Sequence, residues 1–486
     1  MPPSSRAPHV VVLGGGVCGL YAARTLLDAG ARVTVLERFD VPGGLAAGRE
    51  HEGNYYDFGV HQLHATDPAI FADIQALMGE RLIPVAKKAL IRYGRGFRRY
   101  PLEFTDLITG IPPWTLARAL FGLLAQQARN RIRPTAPTDA EGALIQLYGR
   151  PLYHFFFRDF THRYWGVPPK ELSATFVRTK MPRLSAVDVV KKALGRIGMK
   201  DDRGAAVESA VKDETLWYSP TGAREMPLAM ADDIRRRGGD VRLCSEVVRL
   251  DPSADGRRIA AVHFTQGGAT HALRCDGVLS TIPLSALLRA LGEAAPPRVR
   301  AAAAQLRHKP VAVYGLLVRR PRVLDAMYVY YRERIFHRLA EPANCGMTVQ
   351  PAGHTVVLAE VTCDVGDDRW TGGEATRRRI VDDLVAEGLV VADDIVSIHM
   401  FADEYAYPVF RRGFEDHLRV VQDHLATWPN LRSTGRQGAF CFPNMHGAMR
   451  MGADAAAALA ADLASEAGDA NPLPAVLAEP AALSHP

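Results

Sequence analysis

The sequence predicts an α/β fold in which a parallel, nucleotide-binding sheet carries an inserted domain of mixed α+β structure. Three observations support this. A glycine-rich loop follows a short apolar run near the start of the chain, strand-like apolar runs return after a long helical stretch, and an alanine-rich helical pattern covers residues 453–463. Sheet segments separated by helical insertions indicate one nucleotide-binding domain built from distant parts of the chain.

The first unit has the order strand, loop, helix, strand. The apolar run Val10–Leu13 is typical of a buried strand, and it leads into a loop, 14–19, with the spacing G-x-G-x-x-G. Residues 20–27 have helical composition, and Val33–Leu36 predicts the second strand, which ends at Glu37. This order is that of a Rossmann-like unit, which binds a dinucleotide.

Each glycine of the G-x-G-x-x-G spacing has a physical role, and so has the acidic residue that follows the second predicted strand. Gly14 permits a tight turn, Gly16 lets a pyrophosphate approach the backbone, and Gly19 lets the helix pack close to the strand. The helix N-terminus offers unpaired N–H groups and a positive dipole end to the phosphates. Glu37 is placed to accept hydrogen bonds from a ribose.

Length and composition bound the class of protein. The 486 residues suffice for two or three domains, and 48% hydrophobic with 23% charged residues is ordinary for a soluble protein. A net charge of +6, spread without a basic block, gives no argument for nucleic acid. The six cysteines form no C-x-x-C pair, so we expect no metal site, reduced thiols and a cytoplasmic location. No leader peptide or transmembrane segment is expected.

Residues 114–134 need a separate test, because this stretch is apolar early and basic late. The mixed pattern favours a core helix with a solvated, arginine-rich end. The alternative is weak peripheral contact with a membrane interface.

The strand-like runs return over 241–243, 247–250, 259–264 and 278–283, and again over 311–318, 327–331 and 356–361. They predict a discontinuous division of the chain. The cofactor domain is expected over 8–66, 205–285 and 420–466, the substrate domain over 67–204 and 286–419, and a loose tail over 467–486.

The residues after Glu37 carry a first family resemblance. Arg38 and a short spacer lead to the pair Gly43-Gly44. This arrangement resembles the extended FAD fingerprint of the amine oxidase and protoporphyrinogen oxidase superfamily, the GR2-type flavoproteins. The resemblance implies FAD rather than NAD, with Arg38, Gly43 and Gly44 close to the cofactor. Val247 is also predicted to contact the cofactor.

Further segments resemble UDP-galactopyranose mutase within the same group of flavoproteins. They are the G-x-H-x-x-H element 59–64, the segment Phe160–Gly166, the segment Phe336–Glu341 and the Y-P-V element 407–409. The resemblance implies that His61 and His64 lie by the flavin as catalytic, proton-moving groups. It also implies that substrate is contacted by Phe160, Trp165, Arg338 and Tyr407.

The C-terminal motif is similar to the FAD segment of that superfamily. It consists of Gly435–Gly438 followed by Asn444–Met449, and it implies cofactor contacts from Gly435, Arg436, Met445 and His446. A helix that starts here would direct its positive end at a reduced flavin.

Some positions depart from the mutase pattern, which puts that reaction in doubt while leaving FAD binding intact. His446 replaces an aspartate, Tyr164 a glutamine and Arg163 a lysine, and Pro182-Arg183 is an imperfect match to a substrate-binding arginine.

Three functions follow as hypotheses. The first is an FAD-dependent oxidoreductase that takes a hydride from a small organic substrate, for which an anionic group is one option. The second is a redox-neutral, mutase-like isomerase of a nucleotide sugar, and the third is a flavin-binding scaffold without catalysis. The sequence leaves the oligomeric state open.

Overall fold

The structure is a computed structural model, and it describes residues 7–93, 96–100, 113–180 and 215–466. The predicted tail 467–486 and the pair Pro182-Arg183 lie outside the described residues.

The strands of the described chain are named in chain order. They are β1 His9–Leu13, β2 Arg32–Leu36, β3 Arg49–His51, β4 Asn54–Tyr56, β5 Leu63–His64, β6 Ile83–Ala86, β7 Ala89–Tyr93, β8 Gly96–Arg99, β9 Thr215–Tyr218, β10 Asp240–Arg242, β11 Glu246–Pro252, β12 Ile259–Gln266, β13 Ala269–Arg274, β14 Gly277–Ser280, β15 His308–Val318, β16 Tyr328–Tyr330, β17 Arg338–Ala340, β18 Thr355–Thr362, β19 Ile395–Pro408 and β20 Leu431–Ser433.

The helices are named in the same way. They are α1 Val17–Asp28, α2 Pro68–Met78, α3 Pro113–Ile132, α4 Ala140–Leu152, α5 Arg158–Trp165, α6 Ala174–Lys180, α7 Glu225–Arg236, α8 Leu284–Leu291, α9 Pro297–Gln305, α10 Asp368–Thr371, α11 Glu374–Ala386, α12 Phe414–Leu425, α13 Gly435–Gly438 and α14 Met445–Glu466.

A five-stranded parallel sheet of order β10-β2-β1-β14-β20 forms the first half of the molecule. Its strands come from chain segments far apart in sequence, which agrees with the predicted α/β class. Successive side chains of a strand point to opposite faces. In β1, Val10 and Val12 enter the core under α1, α7 and α14, whereas Val11 and Leu13 enter the core that contains α8. Burial on both faces explains why β1 is apolar from Val10 to Leu13.

The second half is built on a seven-stranded mixed sheet of order β19-β15-β18-β17-β16-β7-β8. Its central strands β15 and β18 are antiparallel and almost entirely buried. Two small antiparallel sheets accompany them: β11-β12-β13, which the chain forms between β10 and β14, and β5-β9-β6. The α/β fold with an inserted mixed domain is therefore confirmed, while the predicted domain boundaries stay predictions.

Three local expectations differ from the structure. The stretch 67–204 is predicted as mainly helical, yet it contains the strands β6, β7 and β8. The sequence pattern did not predict the long strand β19, because its residues are mostly half-buried and lack a clean alternation. The helix α14 begins at Met445 rather than at Ala453, so its first turn lies within the Asn444–Met449 motif.

Helix α3 exists where the sequence predicts it, but its burial differs from the expectation of a core helix. Trp114 and Phe121 are each 73% exposed, and Leu124 is 49% exposed. The side that packs against α4 carries instead the small or polar residues Ala119 and Asn130. Trp114, Phe121 and Leu124 thus face outward, whereas Leu123 is buried with the packed side.

None of the helices within the described residues is both long enough and apolar enough to cross a membrane. The same residues contain no group of three His, Cys, Asp or Glu side chains placed to hold a metal ion.

Candidate functional site

A cleft opens at the carboxyl ends of β1, β2 and β14, beside the N-terminus of α1. It holds about 1300 Å³ of empty space, part of which is open to solvent. Parallel α/β sheets bind ligands in this position, because helix N-termini and loop N–H groups meet there. Most of the predicted cofactor residues line it: Gly14, Gly16, Glu37, Arg38, Gly43, Gly44, Val247, Arg436 and Met445.

The glycine loop has the geometry that its spacing predicts. Gly14 has φ +96°, and a Cβ there would lie 2.6 Å from Thr281 Oγ1. At Gly19, a Cβ would collide with the carbonyl oxygen of Gly14, so a side chain would push α1 away from the loop. At Gly16, the nearest protein atoms would be 4.0 Å from a Cβ, which would project toward the cleft. The backbone at Gly16 is therefore open to a ligand.

Glu37 is held in place before any ligand binds. Its Oε2 accepts from the Gly15 N–H at 2.7 Å, and its Oε1 accepts from the Phe39 N–H at 3.0 Å. The side chain is 5% exposed, and this burial raises the pKa of the carboxyl group while the two N–H groups oppose the rise. Two of the roughly four acceptor positions of a carboxylate are used, which leaves acceptors for a ribose diol.

The second glycine turn stands against the first. Gly43 has φ +123° and donates its N–H to the Gly15 carbonyl at 2.7 Å. A Cβ at Gly44 would lie 3.3 Å from the Cα of Gly16, so the two turns approach each other without side chains between them. The guanidinium of Arg38 lies 4.4 Å from the ring of Phe39 at the rim of the cleft.

Arg436 is a buried cation without an anionic partner among the described side chains. Its Nη2 donates to the Pro443 carbonyl at 2.9 Å, and its guanidinium lies 5.3 Å from the ring of Phe442 and 5.9 Å from that of Tyr407. Burial lowers its pKa, which measures the cost of holding this charge away from water. Gly435, with φ +78°, packs against Cys18 and lets α13 present Arg436 to the cleft.

His61 lies at the inner end of the cleft. Its Nδ1 is inaccessible to solvent and has no hydrogen-bond partner among the described residues. Burial first, and then the nearby positive charge of Arg436, lower the pKa of the imidazole to about 4. The ring is therefore neutral at pH 7, and it is able to accept a proton or a hydrogen bond. His61 and Met445 also border a smaller, mainly apolar pocket of about 240 Å³.

His64 and His446 are near each other but do not line the main cleft. Their ring centroids are 5.9 Å apart, and His446 Nε2 is 2.8 Å from Thr66 Oγ1. His61 therefore lines the cleft, whereas His64, which the sequence groups with it, does not.

Arg338 is engaged by a carboxylate. Its Nε and Nη2 donate to the two oxygens of Glu360 at 2.5 and 2.7 Å, and His337 Nε2 lies 3.5 Å from the same carboxylate. Burial alone would raise the pKa of Glu360, but the Arg338 charge overrides it and lowers the pKa to about 2. Glu360 also packs directly under Gly59, where a Cβ would be 2.7 Å from its Oε1. The ion pair therefore lies beneath the loop that carries His61.

The predicted substrate aromatics form one packed group near Arg436. Tyr407 stacks on Phe442 with a centroid distance of 5.2 Å and an interplanar angle of 7°, and Trp165 is 6.0 Å from Phe442. Tyr164 joins Trp165 and Tyr407, at 5.1 and 5.8 Å, and Phe160 lies at the edge, 6.0 Å from Tyr164. Trp165 is 6% exposed, so it belongs to the packed core.

Sequence reasoning missed Glu360 and Phe442. Glu360 is the single charged residue in the apolar strand β18, and this isolation was a usable signal because a buried carboxylate requires a partner. Phe442 follows the Gly435–Gly438 motif without a distinguishing pattern, and only the folded chain places it on Tyr407.

These features define a dinucleotide-binding flavoprotein, because the residues of the cleft fit FAD. The open backbone at Gly16 suits a pyrophosphate, the buried acceptors of Glu37 suit a ribose, and the uncompensated Arg436 suits an anionic group. The chain matches the profile of flavin-containing amine oxidoreductases over residues 17–460, and it belongs to that family. Its cofactor is FAD.

Curated relatives share part of this chain. It is 30% identical over 330 residues to a phytoene dehydrogenase of Streptomyces griseus, a match that covers 63% of this chain and 59% of that protein. It is 36% identical over 262 residues to a 15-cis-phytoene desaturase of Arabidopsis thaliana, covering 52% and 45%. The matches thus span about half the length of these relatives.

Solved structures show the same fold. A reduced UDP-galactopyranose mutase superposes with a TM-score of 0.75 at 21% identity, covering 93% of both chains. A putative protoporphyrinogen oxidase from Exiguobacterium superposes with a TM-score of 0.67 at 14% identity, covering 94% of this chain and 99% of the other. At these identities the likeness concerns the fold alone.

Proposed function

We propose that this protein is an FAD-dependent oxidoreductase that dehydrogenates a carbon–carbon bond of an apolar, polyene-type substrate. The sequence similarity to a phytoene dehydrogenase and a phytoene desaturase supports the reaction and the substrate class. The observation that carries the proposal is the bidentate pair of Arg338 with Glu360. Because this pair neutralises the cation predicted to hold an anionic substrate, the substrate side of the cleft favours a neutral molecule.

In this proposal, different residues of the cleft contact different parts of the cofactor. Gly14, Gly16 and the N-terminus of α1 bind the pyrophosphate, and Glu37 accepts from the ribose. Arg38, Gly43, Gly44 and Val247 complete the wall around the nucleotide half. When bound, FAD supplies the chemistry that accepts a hydride. Arg436 and Met445 would line the inner end of the cleft, where Arg436 would offer its charge to an anionic group of the cofactor.

His61 has the clearest catalytic role in this scheme. Dehydrogenation of a carbon–carbon bond removes one hydrogen as a hydride and its neighbour as a proton. The lowered pKa keeps the His61 ring neutral, so the imidazole is able to take that proton. The apolar pocket beside His61 and Met445 excludes water from this position. His64 and His446 support the loop from outside the cleft.

The mutase-like alternative has less support, because it requires a free cation for a diphosphate. Arg338 is occupied, and Arg436 is assigned to the cofactor. The structural likeness to the mutase rests on the fold. The non-catalytic alternative is disfavoured by the unpartnered His61, which is costly to keep buried unless it is used.

One experiment separates these reactions. The purified, FAD-loaded protein is mixed without oxygen with a detergent-solubilised polyene and a quinone acceptor, and the product is followed by the red shift that each new conjugated double bond causes. A dithionite-reduced sample is given UDP-galactose, and ring isomers are separated by chromatography. Conversion of the polyene supports the proposal. Ring isomers without conversion of the polyene would overturn it.

A control variant ties the reaction to the site. His61→Gln should lower the turnover number by about 10²–10⁴-fold while FAD stays bound, since general base catalysis contributes about this factor. His162→Gln, on the exposed side of α5, should leave turnover unchanged.

A further inference from the structure

We propose that helix α3 is a docking surface for a membrane that contains anionic lipids. The observation behind this inference is that large apolar side chains lie on the exposed side of the helix. Its most exposed large side chains are Trp114, Phe121 and Ile132, at 73%, 73% and 78%, and no other large apolar residue of the described chain is as exposed. The inference does not depend on the proposed reaction.

The exposed apolar residues form one stripe. With about 100° of rotation per residue, Trp114, Phe121, Ala125 and Ile132 lie within about 40° of one another around the helix axis. All of them are exposed. From Trp114 to Ile132 the stripe extends for about 27 Å at about 1.5 Å per residue. It is therefore longer than a local contact patch.

The opposite side of helix α3 packs against helix α4. A Cβ at Gly122 would lie 2.6 Å from Pro151 on α4, so the two helices are in close contact. Asn130 Nδ2 donates to the Gln146 carbonyl of α4 at 2.9 Å, and Gln126 donates to Asn130 at 2.9 Å. Leu123 is 3% exposed on this side. The apolar stripe is thus not a second core face, because the helix already has its packing partner.

Charge complementarity identifies the occupant. Arg118 and Arg129 border the stripe on one side, Arg131 borders it on the other, and all three are exposed. No acidic residue occurs over 113–133. A helix with an apolar stripe flanked by arginines lies in the plane of a membrane interface, with the guanidinium groups at the lipid headgroups. Each arginine near an anionic leaflet adds to the attraction.

The test uses the full, FAD-loaded protein and vesicles. We expect it to float with vesicles of phosphatidylcholine and phosphatidylglycerol, less with phosphatidylcholine alone, and less at high salt. Trp114→Ser/Phe121→Ser/Ile132→Ser should lower the vesicle-bound fraction by about tenfold or more, since three large apolar side chains leave the lipid. Arg118→Gln/Arg129→Gln/Arg131→Gln should weaken binding to the anionic vesicles only.

A matched control is available in exposed valines away from α3. Val365→Ser/Val391→Ser/Val396→Ser removes side chains that are 57%, 54% and 46% exposed and should not alter flotation. Flavin content and urea midpoint verify that every variant is folded.

Failure of the wild-type protein to bind anionic vesicles overturns the proposal, as does equal loss in the valine variant. Sedimentation provides another contrary outcome. If the serine substitutions on α3 convert a dimer to a monomer without affecting vesicles, the stripe covers a second copy of the chain instead.

Discussion

Two arginines near the inner end of the cleft differ in how their positive charge is compensated. Arg338 is compensated by a bidentate carboxylate, whereas Arg436 has only backbone carbonyls and aromatic rings around it. A buried charge is costly unless it is paired, so the unpaired one indicates where an anionic ligand completes the structure. The comparison teaches that Arg436, rather than Arg338, has a charge left to pair with an anionic ligand.

The largest expected effect comes from breaking the compensated pair. Arg338→Met should lower the free energy of unfolding of the FAD-free protein by about 3–5 kcal/mol, because Glu360 would remain buried without its counterion. The double variant Arg338→Met/Glu360→Leu should recover most of this loss. Urea denaturation measures both. A loss below about 1 kcal/mol in the single variant would show that the pair is not desolvated.

The next effect concerns pH and His61. The unfolded imidazole binds a proton with a pKa near 6.5, whereas the folded one does so only near 4. Its contribution to stability is therefore present above pH 6.5 and is lost as the pH falls toward 4, by at most about 3 kcal/mol at about 1.36 kcal/mol per pKa unit.

His61→Gln should flatten that part of the pH dependence of the free energy of unfolding. His308, whose pKa burial also lowers to about 4, remains in both proteins, so the difference between them isolates His61. The exposed His162→Gln serves as the control, and an unchanged slope in His61→Gln would contradict a buried neutral ring.

Removal of the uncompensated cation should have a different signature. Arg436→Met should weaken FAD binding by about 1.5–3 kcal/mol, the range of a hydrogen bond to a charged group. The FAD-free variant should be at least as stable as the wild type, since an unpaired buried charge is gone. Fluorescence titration and urea denaturation supply the two numbers. A variant that loses stability but keeps its FAD affinity would reverse the roles of the two arginines.

The smallest expected effect concerns FAD affinity and the glycine loop 14–19. Gly16→Ala should lower FAD affinity about tenfold, because the added methyl group projects into the cleft, yet stability should be kept or rise by about 0.4–1 kcal/mol. In Gly19→Ala, the methyl group meets the Gly14 carbonyl, and the variant should lose stability instead. Equal behaviour of the two variants would mean that the loop moves as a unit.

Much of the nucleotide side was predictable because its determinants are local. The spacing of Gly14, Gly16 and Gly19 and the position of Glu37 act within one strand–loop–helix–strand unit, and the structure has them as predicted. The substrate side was less predictable. Arg338 matched a family motif, but its partner Glu360 comes from another strand, and pairing across β17 and β18 decides what the arginine is able to bind.

The sequence by itself determined the α/β class, the cofactor and the glycine loops that line the cleft. Glycine geometry and helix N-termini depend on neighbours along the chain. Only the tertiary structure decided which charges are neutralised and which surfaces stay open. It paired Glu360 with Arg338, left His64 out of the cleft that His61 lines and turned Trp114 and Phe121 outward. Burial and charge compensation depend on residues distant in sequence, so local pattern does not fix them.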